Sequence, residues 1–194
     1  MSFKKLFFIV FLCLEFVKAN SIGGININNK DLEVEGAFEI NSLADYSSGT
    51  TYIVDVNYLN SNGSNMAMLG FSGQNALQGV QGLTLAFGIK SVVASDFVAF
   101  PLMAKIAYEL PLGVGIPRTI LKANFAFAPS VLTFIDGEGY SEGKIGIDME
   151  IISNIFLFAG YRKIDVDDNN EFNDRFNDND NFNDSFFAGL KLSF

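Results

Sequence analysis

Residues 143–151, Gly143-Lys144-Ile145-Gly146-Ile147-Asp148-Met149-Glu150-Ile151, alternate without a break. Ile145, Ile147, Met149 and Ile151 fall on one side of an extended chain, and Lys144, Asp148 and Glu150 fall on the other. A repeat of two belongs to a β-strand, whose successive side chains point to opposite faces; a helix repeats every 3.6 residues. The segment therefore predicts a strand with one face in an apolar phase and the other among charges.

The same pattern recurs outward from it. In 31–40, Leu32, Val34, Phe38 and Ile40 oppose Asp31, Glu33, Glu35 and Glu39. In 50–59, Tyr52, Val54, Val56 and Tyr58 oppose Asp55 and Asn57. Segments 81–90, 97–110, 119–128, 155–164 and 185–194 repeat it, while 21–28 and 65–73 alternate more weakly. Gly, Asn, Asp and Ser separate the segments, as turns require. No run after the first residues is long and apolar enough for a spanning helix.

Alternation fits a soluble barrel with its apolar face inside, or a membrane barrel with that face in lipid. Three features favour the membrane. The strands run near ten residues, the length a tilted membrane strand needs. Tyr52, Tyr58, Tyr108 and Tyr161 lie where interfacial girdles would form. The chain also opens with an export signal: Lys4 and Lys5, the apolar run Leu6–Leu14, then Val17 and Ala19 before a cleavage point. Residues 1–19 are expected to be a signal peptide containing the lone Cys13, leaving 20–194 as one domain without a disulfide. Lipid leaves no partner for open sheet edges, so the strands must close. The expected fold is all-β, a closed antiparallel transmembrane β-barrel of eight to ten strands; ten is favoured because nine clear or moderate segments and the weak one at 21–28 make the even count such barrels have.

Composition narrows the function. The chain has 194 residues, net charge −9, 18% charged residues and no histidine. A negative chain does not suit nucleic acid. Without histidine the usual base near neutral pH is missing, as is a common metal ligand. No catalytic cluster stands out and no cofactor is expected.

The chain ends Phe187-Ala188-Gly189-Leu190-Lys191-Leu192-Ser193-Phe194. Gly189, Leu192 and the terminal Phe194 resemble the signal read by the outer-membrane assembly machinery, with Phe187 departing from its usual polar residue. The chain also resembles the YfaZ family of small outer-membrane proteins. The resemblance runs through DLEVEGAFEI (31–40), GLTLAFGIK (82–90), NFAFAPS (124–130), AGYRKI (159–164) and the closing FFAGLKLSF. It implies a location in the outer membrane of a Gram-negative-type bacterium, with lipid and lipopolysaccharide as surroundings. It supplies no catalytic or ligand residues.

The polar faces define the expected lumen: Glu33, Glu35, Glu39, Asp55, Glu109, Asp148 and Glu150 against Lys105, Lys122, Lys144, Arg162 and Lys191. A barrel this small is barely wider than its side chains, so opposite charges should pair into a network. A plugged, structural interior is expected over a narrow passive diffusion channel. Connections 129–142 and 165–184 are expected as long external loops. The second holds eight acids and one base, and would make a surface interaction protein if a partner reads it. Asp165, Asp167, Asn169 and Glu171 alternate like calcium ligands, but Asn170 and Phe176 stand where a turn glycine and a bidentate glutamate belong. Loosely bound calcium or magnesium is the most this spacing offers.

Overall fold

The computed structural model describes residues 21–28, 30–40, 49–95, 97–113, 115–135, 137–168 and 181–194. The strands are β1 (Ser21–Ile27), β2 (Asp31–Glu39), β3 (Thr51–Ser61), β4 (Ser64–Ala76), β5 (Leu83–Ala94), β6 (Phe97–Ala99), β7 (Leu102–Glu109), β8 (Thr119–Ala128), β9 (Thr133–Ile135), β10 (Gly137–Ile152), β11 (Ile155–Asp168) and β12 (Asn181–Ser193). All pair antiparallel with their neighbours, and β1 pairs β12, with Ile25 opposite Leu190. The chain ends meet at this seam, where Phe194 N–H donates to the Ser21 carbonyl at 2.8 Å.

The wall has ten staves. β6 and β7 keep a single register against β5 and form one stave interrupted at Pro101, whose missing N–H cannot join the ladder. β8 and β9 form another, broken by a 3-10 turn at Ser130–Leu132. Phe127 faces Leu102 and Thr133 faces Ala99, so three positions on one stave match six on the other. The surplus residues make the turn. Residues 129–142 are thus mostly wall, not the expected loop. Asp165 to Asp168 and Asn181 to Asp184 are likewise strand.

The alternation sets the faces. Leu69, Phe87, Leu102, Phe125, Ile145 and Leu157 point outward and are exposed, which makes an apolar belt around the barrel. This is a transmembrane arrangement: the charged faces named above turn inward. The weakly alternating segments are also wall strands. In β4 both faces are apolar, since Met66 and Met68 are buried inside while Leu69 and Phe71 lie outside.

The β3–β4 turn, at the end away from the termini, is tight. Asn62 and Gly63, with φ of 49° and 87°, close the β3–β4 hairpin in two residues, the Asn-Gly pair that a twisted hairpin prefers. At that end the lumen is filled by side chains: Leu59, Met66, Val92, Phe97, Tyr140, Ile164, Val166 and Phe182 form one buried cluster. Phe97 and Tyr140 stack in it with centroids 5.9 Å apart.

Candidate functional site: the charged lumen

Beneath the apolar cluster lie ion pairs joined end to end. Arg162 Nη1 stands 2.6 Å from Glu33 Oε2, and Glu33 Oε1 stands 3.0 Å from Lys144 Nζ. Lys144 meets Glu35 at 2.9 Å, and Glu35 meets Lys191 at 2.9 Å. Lys191 reaches Asp148 at 3.2 Å, and Asp148 reaches Lys122 at 2.6 Å. These residues come from β2, β8, β10, β11 and β12, each turned inward by strand parity. Two separate pairs flank the chain, Lys105 with Asp55 and Lys90 with Glu142, whose carboxylate also accepts from Tyr140 Oη at 2.8 Å.

The aromatic residues within the lumen serve the cations. Phe187 lies under both Lys144 Nζ (4.9 Å) and Arg162 Cζ (5.8 Å), and Phe158 lies under Lys191 Nζ (4.1 Å). A ring face attracts a cation, and most strongly where water is excluded. These contacts give the ring at 187 a place inside the lumen. Gly160 makes room for that ring: a Cβ there would sit 2.6 Å from Phe187 and 2.2 Å from the Ile145 carbonyl.

Arg162 is anchored from above as well. Its Nε donates to Asn183 Oδ1 at 2.8 Å, while Asn183 Nδ2 donates to Asp31 and to Ser61, both at 2.9 Å. Asp31 further accepts from Asn28 Nδ2 at 2.9 Å and from the Ser61 hydroxyl at 2.8 Å. Glu33 also accepts from Asn26 and Asn57. These neighbours offset part of the cost of burying the charges; Arg162 Nη1 and Nη2 contribute through ion pairing alone, without a hydrogen bond.

Of the sequence-expected lumen residues, Glu33, Glu35, Asp55, Lys105, Lys122, Lys144, Asp148, Arg162 and Lys191 are brought together. Glu109 and Glu150 stand apart at the rim on the side of the termini. Glu109 pairs with Arg118 at 2.7 Å, both well exposed, and Glu150 accepts from the Asn154 N–H. The hydrogen bond to Glu109 raises the Arg118 guanidinium above its already high range. Alternation puts Asp31 and Lys90 on polar faces without counting them in the lumen, and it does not single out Glu142, Asn183 or Tyr140. Glu142 and Tyr140 lay in the stretch assigned to a loop, and Lys90 had no recognised partner.

Asp165 and Asp167 lie on the outward side of β11, Asp165 paired with Lys163 at 3.1 Å. Asn169, Glu171 and the expected signal peptide lie outside the described residues. Among the described residues no three acidic side chains converge as a metal site.

The network borders a cavity of about 250 Å³, lined among others by Glu35, Asp55, Lys105, Lys122, Asp148 and Lys191. Arg162 and Glu33 are the least exposed members of the series, with 1% of each side chain exposed, and Lys122 is the most exposed at 30%. The apolar cluster closes the end away from the termini, and Lys122, near the start of β8, stands toward the end that carries them.

The resemblance drawn from the sequence is borne out over the C-terminal part of the chain: residues 104–194 match the family model described as YfaZ precursor, a family of the outer-membrane β-barrel type. The matching pieces at 31–40 and 82–90 lie outside that span. No curated protein matches the sequence. Solved structures that align with the chain include a NanC porin, 9% identical, covering 90% of this chain and 98% of that one with a TM-score of 0.43. A bacterial polysaccharide outer membrane secretin is 10% identical over 92% of this chain and 66% of its own, with a TM-score of 0.44. A third, from work on in-meso crystallization of membrane proteins, is 9% identical over 90% and 83%, with a TM-score of 0.43.

Proposed function

We propose, from a barrel whose residues 104–194 match the YfaZ precursor family, that this is a small integral outer-membrane protein with a closed lumen and a non-enzymatic, structural role. One observation carries the closed-lumen reading: the buried cluster of Leu59, Met66, Val92, Phe97, Tyr140, Ile164, Val166 and Phe182 occupies the barrel's bore. An apolar constriction of this kind excludes ions even where polar groups lie beneath it. The charged layer supports the same reading, because its members are ion-paired with one another across the bore.

The apolar belt supports insertion into the outer membrane. The test is expression with fractionation, followed by reconstitution into lipid vesicles. The protein should sediment with outer membranes and migrate differently on gels before and after boiling. Vesicles carrying it should not swell in arabinose. Swelling at a rate set by solute size would favour the narrow diffusion channel instead.

A further inference from the structure

The ion pairs of the lumen form an alternating series, Asp31, Arg162, Glu33, Lys144, Glu35, Lys191, Asp148, Lys122, which ends on a cation at Lys122. Its two ends differ. The end at Asp31 is sealed, with Asp31 Oδ2 3.7 Å from Arg162 Nη2 and Asn183 on Arg162 Nε. Lys122 is paired with a single carboxylate among the described residues, Asp148, and that carboxylate is shared with Lys191. Lys122 is also the most exposed member of the series, and it borders the cavity.

A second cation stands beside it. In the β7–β8 ladder Lys105 faces Asn124 and Lys122 faces Ala107, so the two lysines are diagonal neighbours on one face. Diagonal positions of this kind lie roughly 7 Å apart, within reach of long side chains. The carboxylates that serve them are on different strands, Asp55 on β3 for Lys105 and Asp148 on β10 for Lys122. Two ammonium groups thus flank one space, and each has its own carboxylate elsewhere. In a chain of net charge −9, this cavity is lined by one more cation than anions: Lys90, Lys105, Lys122, Lys144 and Lys191 against Glu35, Asp55, Glu142 and Asp148.

We infer that the cavity is a binding site for a small oxyanion, a carboxylate or a phosphate, which enters from the end carrying the termini and bridges Lys122 and Lys105. The anion completes the alternating series at its open end. Its negative charge offsets the repulsion between the two lysines, in a space where partial exclusion of water strengthens the attraction. The cavity volume limits the ligand to a few heavy atoms beyond the anionic group. The apolar cluster above makes the site a blind pocket rather than a passage.

The test uses the purified barrel in detergent micelles, with thermal unfolding followed by gel mobility in succinate or inorganic phosphate. Sodium chloride at matched ionic strength and putrescine serve as controls. A ligand that binds only the folded form raises the unfolding temperature in a saturable way. At least one oxyanion should do so where neither control does, and the one that acts assigns the site to carboxylate or phosphate. Lys122→Gln should abolish the effect and Lys122→Arg should restore it. Lys105→Gln should weaken apparent affinity about tenfold or more, and keeps the idea testable if Lys122→Gln does not fold. No oxyanion-specific rise in the wild type, a rise undiminished in both glutamine variants, or a preference for putrescine would overturn the inference. Because micelles need no conduction, the result is independent of whether the lumen is closed.

Discussion

Arg162 and Glu33 meet at 2.6 Å in the middle of the barrel with 1% of each side chain exposed. Glu33 also serves Lys144, and Arg162 also serves Asn183, so this contact links the charged layer to the polar cluster around Asp31. Removing Arg162 leaves Glu33 with Lys144 as its remaining cation and takes the guanidinium from Asp31 and Asn183. Arg162→Ala should lower stability by roughly 3–5 kcal/mol, since it breaks a buried pair and leaves two buried acids short of positive charge. Adding Glu33→Gln should recover part of that loss. Urea unfolding of the two single variants and the double variant in micelles checks this, and simple additivity would mean the pair is not coupled.

The seam makes a separate demand. Gly189 packs so closely on β1 that a Cβ would lie 2.1 Å from the Ile25 carbonyl, whereas one at Gly143 would meet nothing within 4 Å. Gly189→Ala should therefore reduce the yield of heat-modifiable barrel, while Gly143→Ala should leave it unchanged. The comparison separates a requirement of strand closure from one of glycine content.

The outer face predicts a depth profile. Ile145 is exposed in the apolar belt, whereas Ser141 stands four residues further along the same face of β10, opposite Asp165. Ile145→Lys should cost about 2–4 kcal/mol in lipid vesicles, and Ser141→Lys should cost about 1 kcal/mol or less. Equal costs would place the bilayer boundary elsewhere on the barrel.

Strand faces were legible because a period of two assigns every residue to one side. Lys144, Asp148, Arg162 and Lys191 were placed inward from their neighbours alone. Their pairing was not legible. Glu33 and Lys144 lie on β2 and β10, which are not adjacent, and only the stagger of the closed wall brings them within 3.0 Å. The apolar cluster was hidden for a related reason. Met66, Val92, Ile164 and Val166 put apolar groups on the inward face, which blurs the alternation and makes strands such as β4 read as weak. Tyr140 and Glu142 were lost because Pro129 and the glycines at 137, 139 and 143 resemble loop punctuation. In the structure, Gly137 to Ile152 is the longest strand.

The central claim is that the bore is closed by side chains, and single-channel conductance in a planar bilayer tests it most directly. The wild-type barrel should show no steady conductance above the bare bilayer. Removing the stacked pair with Phe97→Ala and Tyr140→Ala should produce discrete openings, because water can then reach the charged layer from both ends. A wild-type barrel that conducts steadily, with a conductance unchanged in the double variant, would contradict the account.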